Sequence, residues 1–293
     1  MRWLAITVVG AAIGLALVAA VACSSDTNLT PGDAADAAEA AVGVVEASAD
    51  AGGAEGHVRR PGPLRILFFT KETLFFHTDA HKIGDEAVPK YLRARGHDVS
   101  VTSDSARFTP GSLDDFDVTL FFVTSGVVFD ATQRAAFEGF IRAGGGFAGV
   151  HSASATETDS PFFLGLVGAA FWGHGVGDGG FSNSSLTVVD ASDSLVSFLP
   201  RPWVRTDEWY YFIDDPGKNT ALTQLLRIDE STLPASYPDS GLTGIHPVAW
   251  KQTYMGGRSF YTALGHIGAS YEDDLFLRSI AVGVEWAGRL ETH

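Results

Sequence analysis

Asp117-Val118-Thr119-Leu120-Phe121-Phe122-Val123 and, one helix further on, Gly144-Gly145-Gly146-Phe147-Ala148-Gly149-Val150-His151 decide the fold of this 293-residue chain. Each holds a short apolar run without charge, bounded by turn-forming or charged residues, which suits a strand buried on both faces of a parallel sheet. Between them, Asp130 is followed three residues later by Gln133, the pattern of a capping box. Ala136, Phe137, Phe140 and Ile141 then fall on one helical face, and the three glycines end the helix. Strand, helix and strand at this spacing form a crossover unit, and His151 leaves the second strand at its carboxyl end.

Working outward from this unit, Leu64-Arg65-Ile66-Leu67-Phe68-Phe69-Thr70 is a third such run. A helix is expected from Asp79 to Arg95, with Ile83, Val88 and Leu92 inward and Gly96 as its stop. His97–Thr102 follows as another strand. The succession of strand, helix, strand, strand, helix, strand describes an α/β domain with a doubly wound, mostly parallel sheet and helices on both faces. Beyond Ser152 the pattern loosens, with Gly-rich loops between Trp172 and Gly180. Strands are expected at Leu186–Val189, Pro247–Lys251 and Arg258–Ala263, and a closing helix from Asp273 to Leu290 carries Phe276, Ile280, Val284 and Ala287 at helical spacing. No internal repeat is present.

The amino end is of another kind. Met1-Arg2 precedes an uncharged apolar stretch, Trp3–Ala22, and then Ala20-Val21-Ala22-Cys23, small residues before the only cysteine. This is the layout of a lipoprotein signal peptide over residues 1–23, with Cys23 as the lipidation site, although Ala20 stands where Leu is commonest. An uncleaved membrane anchor and ordinary secretion are the alternatives. Residues 24–63 are rich in Ala, Gly, Asp, Ser and Glu and contain no aromatic residue, so they read as a disordered tether. One folded domain is expected over 64–290. The resulting localisation is the bacterial cell envelope, lipid-anchored and extracytoplasmic.

The formal charge is −15, of which about −4 belongs to residues 1–63 and about −11 to the rest. An acidic body without a basic cluster repels phosphate backbones and argues against a nucleic-acid partner. A lone cysteine forms no internal disulfide, so the core must supply stability by itself.

Eight of the nine histidines follow Leu64, and His77, His81, His151, His174, His246 and His266 sit where strands end or loops begin. Ligands of open α/β sheets bind outside the carboxyl ends of the strands, so this placement matters more than residue type. Four ordered segments carry a resemblance: Arg142–His151, Arg205-Thr206-Asp207-Glu208-Trp209-Tyr210, His246-Pro247-Val248-Ala249-Trp250, and Gly257–His266. Together they resemble the ThuA-like (trehalose utilisation) family of the class I glutamine-amidotransferase-like, flavodoxin-like superfamily. The chain departs from the family pattern at Phe76-His77-Thr78-Asp79, at Gly175 after His174, and at Ser152.

The resemblance implies a carbohydrate or oxidised sugar as substrate. Glutamine amidotransferases use a cysteine at a strand-to-helix elbow; here His151 occupies the corresponding turn, which excludes thiol-based glutaminase chemistry. Val150-His151-Ser152-Ala153-Ser154 is not the G-x-S-x-G elbow of a serine hydrolase. What remains is a set of imidazoles and carboxylates. His151 and Glu208 are the candidate proton-handling pair. His77, His174, His266, Asp207, Trp209 and Tyr210 are candidate substrate contacts, and Glu157 is a further carboxylate to consider. The imidazoles also suit a divalent metal, although no H-E-x-x-H spacing marks one. Trp172 and Trp250 line a pocket or fill the core, and His246-Pro247 and Gly256-Gly257 shape loops. Hydrolysis and isomerisation both fit such an enzyme; a non-catalytic sugar-binding lipoprotein and a surface interaction scaffold are the rival readings. The sequence does not specify an oligomeric state.

Overall fold

The computed structural model describes residues 62–175, 181–233 and 246–289. The expected signal peptide with Cys23, the expected tether up to Pro61, the Gly-rich stretch 176–180 and Leu290 lie outside the described residues. The three apolar runs become β1 (Arg65–Phe69), β3 (Val118–Phe122) and β4 (Gly146–Val150), with β2 at Asp98–Thr102. Helix α1 spans Thr78–Ala94 and α2 spans Ala131–Arg142. The capping box that opens α2 is formed, with Asp130 accepting from Gln133 N–H and the Gln133 side chain accepting from Asp130 N–H.

Adjacent side chains on a strand point to opposite faces, and Phe121 and Phe122 show why β3 is apolar without interruption. Phe122 stacks on Phe68 at 4.9 Å and meets Tyr271 at 5.1 Å. A Cβ at Gly84 of α1 would run into the Phe122 ring, so this helix lies close because that position has no side chain. Phe121 turns the other way, toward Phe137 of α2 at 5.3 Å and Phe163 of α3 (Pro161–Val167) at 5.6 Å. Helix α4 (Asp274–Ala287) packs beside α1 and over β4 and β11 (Gly257–Thr262). Helices therefore cover both faces.

Further strands are β5 (Phe171–His174), β6 (Phe181–Val188), β7 (Trp203–Glu208), β8 (Tyr210–Phe212), β9 (Thr223–Ile228), β10 (His246–Tyr254) and β11 (Gly257–Thr262). The main sheet runs β2-β1-β3-β4-β11-β10-β9-β6-β7, while β5 and β8 pair separately. Pairing is parallel from β2 through β11 and antiparallel from β11 to β7. Following these directions, β4, β11 and β7 all end on the same rim. His246 and Pro247, expected to shape a loop, instead open β10, with His246 fully buried.

Candidate active site

Each principal side chain of the site is delivered by the end of an element. His151 follows β4 at a φ of +54°, a left-handed conformation that non-glycine residues seldom adopt and that clusters at functional sites. Two contacts hold this elbow: the Tyr261 hydroxyl donates to the His151 carbonyl at 2.7 Å, and His151 Nδ1–H donates to the Ala263 carbonyl at 2.7 Å. Because a carbonyl only accepts, the second bond fixes the tautomer and leaves the Nε2 lone pair facing the cleft. Burial pushes the His151 pKa down to about 4, so the ring is neutral at pH 7.

His266 follows β11 through Gly265, whose φ of +115° permits a turn that a side chain would strain. Asp207 pins this turn, accepting from Gly265 N–H at 2.9 Å and His266 N–H at 3.2 Å. The Tyr271 hydroxyl binds the Gly265 carbonyl, and Asp79 accepts from Gly268 N–H at 2.7 Å. Asp207 itself is fully buried, and that burial raises its pKa against the opposing pull of Arg205 and these N–H groups. It is a positioning residue.

Glu208, at the end of β7, is the centre of the cluster. One oxygen lies 3.0 Å from His266 Nδ1 and 3.4 Å from His151 Nε2, and the other lies 3.3 Å from His174 Nε2. Burial alone would raise its pKa, but contact with His151 and His266 outweighs burial and holds the carboxyl well below its ordinary range. His266 moves the opposite way: burial disfavours its charge, yet Glu208 raises it. The Tyr210 hydroxyl donates to His151 Nε2 at 2.7 Å, and burial lifts its pKa well above that of a free phenol.

His77 reaches the same place from the loop before α1. Its ring lies 4.9 Å from that of His151 and 5.0 Å from that of His266. Its Nδ1 contacts Glu72 at 2.6 Å, and Glu72 also meets His81, which is paired to Asp85. Although burial works against the ionised form of each, hydrogen bonding within this chain lowers Glu72 to about 2 and raises His81 to about 9.

The expected site residues thus divide. His77, His151, His174, His266, Glu208 and Tyr210 meet at one rim, and Asp207 lies directly behind them. Trp209 does not join them: it is fully buried and its indole N–H donates to Ser182. Glu157 is used elsewhere, accepting from Val128 and Phe129 N–H and pairing with Arg134. Trp250 is core, with its N–H on the Val167 carbonyl, whereas Trp172 is 67% exposed. Sequence reasoning missed Glu72, a charged residue three positions beyond the end of β1 and five before His77. Ser152 Oγ lies 3.4 Å from His77 Nδ1, but that nitrogen already donates to Glu72 and has no lone pair with which to activate a hydroxyl.

The family model ThuA, described as trehalose utilisation, matches residues 65–287. Comparison of the sequence with curated proteins finds no match. Among solved structures, a ThuA-like protein from Bacteroides uniformis aligns with a TM-score of 0.66 at 19% identity, over 78% of this chain and 93% of that one. One from Parabacteroides merdae gives 0.57 at 20% identity, over 77% and 90%. A cytoplasmic protein from Salmonella typhimurium gives 0.51 at 11%, over 78% and 98%. At these identities the structures share the fold, a mostly parallel α/β sheet with helices on both faces.

Proposed function

The chain belongs to the ThuA (trehalose utilisation) family, and from that premise we propose that it is an enzyme acting on a carbohydrate by acid–base chemistry without a covalent nucleophile. One observation carries the proposal: an ionised, nearly buried carboxylate, Glu208, faces three imidazoles at the strand-end rim. In this reading Glu208 and His266 move the proton. Their pKa values are pushed apart, as in sites that hold an acid and a base together. His151 and Tyr210 accept and donate hydrogen bonds at the sugar oxygen that changes charge, and His77 and His174 orient it. Such an arrangement suits proton transfer beside a carbonyl of an oxidised sugar, in an isomerisation or an elimination-type cleavage.

The test is turnover on a panel of trehalose, related disaccharides and their keto derivatives. Glu208→Gln should lose at least about 100-fold in kcat, the usual contribution of a positioned acid or base, with sugar binding retained. A wild type that binds a sugar and converts none of the panel overturns catalysis and leaves a sugar-binding protein. We further propose that the protein works at the cell envelope, carried there by lipid on Cys23. Replacing Cys23 by Ser should then abolish incorporation of labelled fatty acid and release the protein from the membrane fraction; labelling that persists overturns this.

A further inference from the structure

We propose that His77, His151 and His266, with Glu208 beside them, bind one divalent transition metal of the zinc class. The proposal rests on the reading of this rim as a single site. Each of the three histidines offers a ring nitrogen, and these atoms all lie within 4.8 Å of one another. The rings stand at the corners of a nearly equilateral triangle, with centroids 4.9, 5.0 and 5.0 Å apart and planes crossed at 90°, 71° and 88°. Three imidazoles on one tetrahedral ion, with metal–nitrogen bonds of about 2.0–2.1 Å, place their ring centres about 5 Å apart. The ligand atoms agree with the same geometry. His151 Nε2 and His266 Nδ1 are 3.0 Å apart, near the roughly 3.3 Å edge of that tetrahedron, and Glu208 Oε2 stands beside them at 3.4 and 3.0 Å.

Chemistry points the same way as distance. With Nδ1 committed to the Ala263 carbonyl, His151 presents a lone pair toward a carboxylate that also only accepts. The Tyr210 hydroxyl now donates to this lone pair and His266 Nδ1 lies 3.0 Å from the carboxylate; one divalent cation would satisfy both acceptors at once. The outer partners favour the metal. His77 is backed by the Glu72 carboxylate and His151 by a main-chain carbonyl, the contacts that orient imidazole ligands and raise their basicity. Tyr210, now on the His151 lone pair, would turn to a water or sugar oxygen held by the ion. Such an ion would polarise a sugar carbonyl, with His266 ligating it and Glu208 left to transfer the proton.

The experiment uses the full chain stripped with chelator and titrated with zinc or cobalt alone, without any sugar. Calorimetry should give one equivalent per chain. The cobalt form should show the intense visible absorption of a four- or five-coordinate ion with nitrogen ligands. His266→Ala, on a half-exposed loop, should weaken binding by at least about 100-fold. His151→Ala should do the same wherever its circular dichroism shows a folded protein. Glu138→Gln, paired to Arg142 on the exposed face of α2 and away from the ligand set, should change affinity less than about tenfold. Absence of saturable binding, an octahedral cobalt spectrum, or one-equivalent binding that survives both ligand substitutions overturns the proposal. Because no sugar enters this experiment, a failure to bind metal leaves the acid–base reading standing. A protein that binds metal but converts no sugar separates the two in the other direction.

Discussion

Glu208 and Glu285 are both buried carboxylates in contact with histidine, and the way each charge is balanced distinguishes a site for chemistry from a strut. Glu285 on α4 takes two hydrogen bonds from Arg95, at 2.6 and 2.8 Å, and one from His97 Nε2 at 3.0 Å. His97 Nδ1 accepts from Leu64 N–H, so the neutral ring already donates to the carboxylate. A guanidinium keeps its charge across the accessible pH range, and nothing in this group needs to gain or lose a proton. Glu208 has imidazoles around it and, among the described residues, no arginine or lysine. Its compensating charge is mobile. Balance by a permanent cation locks α1 to α4, whereas balance by titratable rings leaves a site that accepts a proton or an ion.

The comparison is tested first by neutralising each carboxylate in turn. Glu208→Gln should reduce turnover by about 10²- to 10⁴-fold, the range expected when a positioned proton carrier is lost. Its urea midpoint should stay close to that of the wild type. Glu285→Gln should do the reverse, leaving kcat within a few-fold while lowering stability by about 1–3 kcal/mol, because Arg95 loses its partner in a partly buried place. Denaturant unfolding and initial rates on the same preparations decide the matter. If Glu285→Gln abolished turnover in a stable protein, the distinction between strut and site would be wrong.

Tyr261→Phe sits between the two regions. Its hydroxyl binds both the His151 carbonyl and Ser154 Oγ, so it holds the strained elbow without touching the rim. A loss of about 1–2 kcal/mol is expected from the unpaired buried carbonyl, with a smaller fall in kcat than for Glu208→Gln. Equal losses of activity in the two variants would make the elbow, rather than the carboxylate, the seat of the chemistry.

These contrasts were only partly legible in the sequence. The parallel half of the sheet could be read because β1, β3 and β4 are covered on both faces, and burial on both faces writes an unbroken apolar run such as Val118–Phe122. The antiparallel half could be read only in part: the strands expected at Leu186–Val189, Pro247–Lys251 and Arg258–Ala263 fall in β6, β10 and β11, whereas β7, β8 and β9 were not foreseen. β7 reads Trp203-Val204-Arg205-Thr206-Asp207-Glu208, with Val204 exposed and Arg205 buried beneath Trp203 and Phe276, so its hydropathy resembles a loop. β10 begins with a histidine and a proline, and His246 is buried through a bond from its Nε2 to the Tyr210 carbonyl. The site was legible as a set of histidines after strand ends. The order among them was not, because sequence carries no sign that Asp207 turns to backbone N–H groups while its neighbour Glu208 meets three rings. Trp209 was placed with the site by adjacency, yet alternation along the chain sends it into the core.

Acid sharpens the comparison further. Although burial opposes ionisation, His97 and Arg95 hold the Glu285 carboxyl below its ordinary value. A depressed carboxylate contributes stability that is fully present above its unfolded pKa, about 4.3, and is lost as pH falls through the lower folded value. Unfolding measured from neutral pH downward should therefore show the wild type losing its advantage over Glu285→Gln, with the two curves converging in strong acid. Curves that stay parallel would mean that the carboxylate's charge does not contribute to the strut.

The smallest effect is expected at Trp172, and its smallness is informative because Trp250, a residue of the same type, lies at the other extreme of burial. Trp172 is 67% exposed on β5, two residues before His174, and its nearest ring partner is Tyr211 at 6.5 Å. Trp250 is fully buried, 4.7 Å from Tyr261. Truncating a buried tryptophan costs about 3–5 kcal/mol, whereas surface substitutions stay within about 0.5 kcal/mol. Trp172→Ala should therefore leave the urea midpoint almost unmoved. If the exposed indole stacks on a sugar at the mouth of the rim, the same variant should raise KM several-fold with kcat unchanged, the signature of binding lost equally from ground and transition states. A loss of stability near that of Trp250→Ala would mean that Trp172 is covered in solution, and the entrance to the site would have to be sought elsewhere along the strand ends.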